Sequence, residues 1–114
     1  MDATIERLSK CLSFVRNEIN SDMALPQLAI LLQVHMEEGI TMVTLAKRLN
    51  MPQGSVSRNL KALGQWMEHG RDLKGYNLID LKPDLYDRKR LACFLSPHGK
   101  EVCAKLIEIM EGAE

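Results

Sequence analysis

The sequence predicts a mainly α fold with a small β-hairpin, arranged as a winged helix-turn-helix, and three observations predict it. Residues 44–63 read as two amphipathic helices parted by a short breaker, two alternating segments then flank a charged turn, and a helical segment closes the chain. A length of 114 residues fits one domain, able to bury a real core with thin reserves of stability. Residues 1–114 are therefore read as a single unit, with the helix-turn-helix at 41–68, the wing at 76–95 and flanking helices at 1–20 and 97–112.

The first helix, over residues 2–20, places Ile5, Leu8, Leu12, Val15 and Ile19 at alternating spacings of three and four, an a/d heptad seam suited to another helix. Asn20-Ser21-Asp22 is a break, Pro26 suits the first turn of a second helix reaching residue 38, and Gly39 ends it. Thr41 can cap the third helix through its hydroxyl, with Leu45, Ala46 and Leu49 on its inner side. Asn50-Met51-Pro52 breaks the chain again. Val56, Leu60 and Leu63 recur at i, i+4 and i+7 on a recognition helix expected over 53–68, after which Gly70 and Gly75 open a loop. Segments 76–82 and 90–95 alternate as strands do, joined by residues 83–89. Ser96-Pro97 caps a last helix whose apolar face is Val102, Cys103, Leu106, Ile109 and Met110.

A composition of 46% hydrophobic and 26% charged residues is that of a soluble globular protein. The longest apolar run, Leu28 to Leu32 with Val34 beyond it, is interrupted by Gln33 and His35, so no membrane partner is expected. The opening Met-Asp-Ala-Thr-Ile-Glu lacks the basic and apolar regions of a signal peptide, which predicts a cytoplasmic location. Three widely spaced cysteines, Cys11, Cys93 and Cys103, do not make a secreted disulfide scaffold.

Net charge is zero, but it is divided along the chain. Residues 41–100 hold eleven Lys or Arg against five Asp or Glu, whereas residues 1–40 and 101–114 each carry three acids in excess. Between Ile40 and Met67 lie Lys47, Arg48, Arg58 and Lys61 and no acid. Such a field favours phosphates locally even on a neutral molecule. Gln53, Gly54, Ser55, Ser57, Arg58, Asn59 and Lys61 point outward or flank the seam of the recognition helix. Short, hydrogen-bonding side chains at a helix start permit close approach to a major-groove floor, which makes double-stranded DNA the expected partner. An ordinary helical hairpin with a solvated face would show the same twenty residues.

The run Leu25-Pro26-Gln27-Leu28-Ala29-Ile30-Leu31, the helix-turn-helix, the turn Asp84-Leu85-Tyr86-Asp87-Arg88-Lys89 and the junction Leu95-Ser96-Pro97-His98-Gly99 together resemble the MarR-type transcriptional regulators over residues 23–103. In that family the wing usually shows an acid, a short spacer and Asp-Arg-Arg, then an apolar strand and Leu-Thr-Pro-x-Gly. Here Lys89 stands for the second Arg and Ser96 for the Thr.

The resemblance implies that Gln53, Gly54, Ser57 and Arg58 lie nearest the bases and that Ser55 and Lys61 face phosphates. Arg58 would offer its fork to guanine O6 and N7. Arg88 would reach a minor groove, helped by Lys89, with Asp84 or Asp87 bracing the loop. A solvated turn whose Asp and Arg merely pair is the other reading of this wing.

Two departures stand out. The segment 68–77 is longer than the family's tight turn, so the first wing strand starts late or the loop makes contacts of its own. A typical member also continues through another helix beyond the position of Glu114. Its dimer interface would be rebuilt here from the face of residues 5–19 and the helix at 97–112, and a strict a/d stripe is narrow enough to be shared between two copies.

No nucleophile, base and orienting group come together, so no enzyme is expected. His35, His69 and His98 are scattered and repeat no metal-site spacing, and no metal or cofactor is expected. Cys11 lies beside the heptad seam, where some MarR-type proteins sense oxidants; a buried reduced thiol is the plainer reading, and packing is the default for Cys93 and Cys103. Trp66 and Met67 would anchor the wing. The expected function is sequence-specific DNA binding by a homodimeric repressor that occupies an operator, and no small-molecule effector is legible. A phage or plasmid replication or partition accessory, or a winged-helix protein-interaction module without DNA, are the other readings.

Overall fold

The computed structural model describes residues 2–112. Its elements run α1 (Ala3–Glu18), α2 (Leu25–Met36), β1 (Ile40–Thr41), α3 (Met42–Leu49), α4 (Gln53–Leu63), β2 (Trp66–Glu68), β3 (Asp72–Lys74), β4 (Ile79–Pro83), β5 (Leu91–Leu95) and α5 (Pro97–Glu111). A three-stranded antiparallel sheet has the order β1-β5-β4, and β2 and β3 pair separately. The mainly α winged helix-turn-helix expected from the sequence is the architecture observed.

α2 lies at the centre, packed against α3, α4, α5 and β5, with Ile30, Leu31 and Val34 fully buried. Its start is set locally: Pro26 occupies the first turn and Gln27 Oε1 accepts the Ala24 N–H at 2.9 Å. Gly39, at φ +93°, turns the chain out of the helix and donates its N–H to Cys93 O. The two-residue strand β1 then pairs with β5. Thr41 caps α3 as expected, its hydroxyl accepting the Thr44 N–H at 3.2 Å, and Asn50 ends that helix in the left-handed region.

The α1 seam is divided, and the length expected for the recognition helix is corrected. Only Val15 of the α1 seam is buried; the inner face is Cys11 with Val15, one turn apart, while Ile5, Leu8 and Leu12 are 61%, 48% and 43% exposed. α5 decides this, because α1 packs against it and the Cys11 thiol sits 3.7 Å from Leu106 O.

The recognition helix stops at Leu63 rather than running to residue 68. A longer helix would need the carbonyls of Ala62, Leu63 and Gly64 for its next turn. They are instead taken by the N–H groups of Tyr76, Leu78 and Asn77, at 2.9, 2.7 and 3.0 Å. Gly75 permits that return, since a Cβ there would lie 2.1 Å from Gly64 O. The chain between is pinched out as the hairpin β2–β3, in the register Trp66 with Lys74, Met67 with Leu73 and Glu68 with Asp72. Trp66 and Met67 thus belong to a strand, and the first wing strand starts late, at Ile79.

The root of the wing is locked onto α5. Ser96 is buried; its hydroxyl donates to Asn77 O at 2.6 Å and accepts the Gly99 N–H at 2.9 Å, while its own N–H donates to Leu78 O. Gly99 lets α5 touch the residue that leads into β4, because a Cβ there would lie 2.1 Å from Leu78 O. This small core places α4 and the wing as fixed projections of one body. No helix among the described residues is long and apolar enough to cross a membrane.

Candidate nucleic-acid interface

α4 turns Val56, Leu60 and Leu63 into the core, which leaves the opposite side for solvent. Gln53, Gly54, Ser57, Arg58 and Lys61 are exposed there and Ser55 is half-buried. The Arg58 side chain folds back one turn along the helix: a Cβ on Gly54 would lie 3.5 Å from Arg58 Nη1. That is ordinary van der Waals contact, so a small side chain at position 54 would also accommodate this pose. Asn59 turns inward to the helix backbone, its amide donating to Ser55 O at 2.9 Å.

The basic side chains of this region are not equivalent. Arg48 is held by Glu37 of the turn after α2, Nη2 to Oε1 at 2.8 Å. The Lys61 ammonium lies 4.4 Å from the centre of the Trp66 ring, a cation–π contact. Trp66 thereby parks Lys61 at the far end of α4, away from Gln53. Between α4 and β4 runs an open groove of about 420 Å³ lined by Ser57, Lys61, Trp66, Ile79 and Asp80 among others.

The wing turn is built by its two acids. Asp84 Oδ2 accepts the N–H groups of Tyr86 and Asp87 at 3.3 and 3.0 Å, and the Asp84 N–H closes the turn on Arg90 O at 2.8 Å. Asp87 Oδ1 accepts the Lys89 N–H at 3.1 Å, while its Oδ2 pairs with Arg90 Nε at 3.4 Å. Both acids brace the loop, and the Asp–Arg pair that forms uses Arg90. Arg88 and Lys89 are exposed.

The matching family model is that of the MarR family, over residues 21–66. A crystal structure of MarR superposes with a TM-score of 0.62 at 23% identity, covering 94% of this chain and 72% of that one. A MarR transcriptional regulator from Methanosarcina mazei Go1 gives 0.62 at 18%, covering 96% and 73%. The S. aureus MepR–DNA complex gives 0.70 at 19%, covering 96% and 80%. No curated protein matched the sequence. The fold is the winged helix of these MarR structures. The family match spans α2 to α4 and ends on the first residue of β2, where the β2–β3 hairpin begins.

Sequence reasoning passed over two residues that the structure places at the wing tip. Leu85 is 82% exposed and Tyr86 97% exposed. The available signal was their position, two apolar residues inside the charged turn Asp-Leu-Tyr-Asp-Arg-Lys-Arg.

The three thiols sit in the interior. Burial pushes Cys93 up to about 12. Cys103 is pushed up to about 11, by burial first and by the negative Glu38 second. Both are neutral packing groups at physiological pH.

Proposed function

We propose that this protein binds double-stranded DNA sequence-specifically as a homodimeric, cytoplasmic regulator of transcription, repressing by occupying its operator. The observation that carries the reading is the exposed face of α4, which offers Gln53, Gly54, Ser57 and Arg58 from a stretch with no acid between Ile40 and Met67. In this reading α4 enters the major groove, Arg58 reads a guanine edge, Ser55 and Lys61 meet phosphates, and Arg88 with Lys89 lies over the adjacent minor groove. Lys61 would exchange its Trp66 contact for a phosphate. Relatives in fold have been seen on DNA: MepR, and reduced AbfR.

Support for two copies comes from the apolar side that α1, α2 and α5 leave in water, where Ile5, Leu8, Leu12, Leu32, Ile107 and Met110 are exposed. Leu8, Cys11, Leu12, Leu28, Leu32 and Met110 line a wholly apolar cleft of about 260 Å³ there. A two-fold on this side would set the α4 helices about 34 Å apart on a near-palindromic site.

Selection from random duplexes tests the reading. Enrichment of a palindromic motif is expected, and Arg58→Ala should weaken binding to it by about 1 to 3 kcal/mol and relax one position per half-site. Absence of any enriched duplex, or an unchanged preference in the variant, would overturn it. Leu12→Glu should sediment as a folded monomer that loses most specific affinity; a wild-type monomer with a single-sided footprint would overturn the dimer.

A further inference from the structure

The wing tip holds Leu85 and Tyr86 further into solvent than any other large apolar side chains of the described residues. A slack loop would fold such side chains down, because leaving them in water forfeits apolar burial. This loop is not slack. Asp84 anchors the Tyr86 backbone N–H, the Asp84 and Arg90 backbones close the turn, and Asp87 holds both the Lys89 N–H and the Arg90 guanidinium. Asp87 is paired with Arg90 and Asp84 is turned onto backbone amides, so with Arg88 and Lys89 exposed the turn carries one net positive charge. The result is a braced apolar point flanked by two cations. Its complement is a narrow surface with apolar walls edged by anions, which is what the deoxyribose walls and phosphate rims of a DNA minor groove provide.

We propose that Leu85 and Tyr86 form an apolar wedge that enters the minor groove beside the α4 site, partly unstacks one base step and bends the duplex. The inference rests on the DNA-binding reading above and adds to it a deformation of the DNA. Opening a step costs stacking energy that depends on its sequence, so the wedge selects flexible pyrimidine–purine steps in the flank without hydrogen-bonding to them.

The test uses the full chain and its selected duplex, with 2-aminopurine at the flanking step and a fluorescent dye pair on the ends. The wild type is expected to raise 2-aminopurine emission and to bring the ends closer by a bend of some tens of degrees. The double variant Leu85→Ser with Tyr86→Ser, checked for fold by circular dichroism, is expected to lose both signals. It should bind about tenfold more weakly when the flank holds a TA step. Its salt dependence should stay that of the wild type, because the cations remain. A variant that keeps the bend and the emission change overturns the wedge and leaves the DNA-binding reading standing. A wild type that binds no duplex overturns both. Binding to phosphatidylglycerol vesicles that the double variant loses, with no bend on DNA, overturns the wedge in favour of a lipid surface.

Discussion

The two hairpins that follow the recognition helix differ in nearly every physical respect. β4–β5 is rooted: Ile79, Cys93 and Leu95 are buried, β1 pairs along the other edge of β5, and Ser96 and Gly99 lock its base onto α5. Its tip is braced by two carboxylates. β2–β3 has three residues per strand, none of them buried, and sets Met67 opposite Leu73 on the solvent side. It is tied by the Lys74–Glu68 pair at 3.7 Å and the Trp66 contact with Lys61. A hairpin becomes a stiff probe through what its base is packed on, and one without such a base is an appendage.

The comparison breaks most sharply at Gly99. Gly99→Ala would drive a Cβ into Leu78 O and should cost about 3 kcal/mol or more, read from urea denaturation. A loss under about 1 kcal/mol would mean that the wing root is not locked as described.

Alkaline pH should act on the wing root through its buried thiol. The folded Cys93 thiol is held up to about 12, above its ordinary value of 9.0, so the unfolded chain loses that proton first as pH rises. The stabilisation is fully present below pH 9.0 and is lost as pH climbs towards 12. The slope per thiol is at most about 1.4 kcal/mol per pH unit. Cys93→Ala should flatten the slope of stability against pH between 9.0 and 11 even though it lowers stability overall; an unchanged slope would show that this thiol is not the titrating group.

Asp84→Ala tests the braced tip. It removes the acceptor of two backbone N–H groups and should cost about 1 kcal/mol, with faster hydrogen exchange at Tyr86 and Asp87. Exchange unchanged at both amides would show the turn to be held by other means.

Replacing residues 66–74 with two glycines should change the unfolding free energy read from urea denaturation by less than about 1 kcal/mol, because Gly64 and Gly75 already meet at the base of β2–β3. A large loss would make that hairpin part of the cooperative core. The smallest effect belongs to Lys74→Ala, where an exposed pair is worth about 0.5 kcal/mol or less.

Elements with local causes were legible. Pro26 starts α2, Thr41 caps α3 and Ser96 caps α5, each a residue at or within three positions of the turn it sets. The exposed side of α4 followed from the spacing of Val56, Leu60 and Leu63, which places Arg58 outward whatever surrounds the helix. The wing acids were legible as braces. That Asp87 would pair with Arg90 was not, since Arg88, Lys89 and Arg90 are indistinguishable as letters and the turn geometry decides among them.

What the sequence determined by itself was the run of helices, their caps, the inward rows of α3 and α4, and the bias of basic charge towards the middle of the chain. These depend on period, local hydrogen bonds and composition, all carried by neighbours along the chain. The tertiary structure alone decided where α4 ends, that β1 exists, and which face of α1 is buried. Each turns on a partner far away in sequence: the N–H groups of residues 76–78 take the last carbonyls of α4, β5 supplies the edge on which Ile40 and Thr41 become a strand, and α5 takes Cys11 and leaves Leu8 and Leu12 in water. A backbone group or an apolar face is satisfied by whichever partner reaches it first in space, and no periodicity along the chain records that distance.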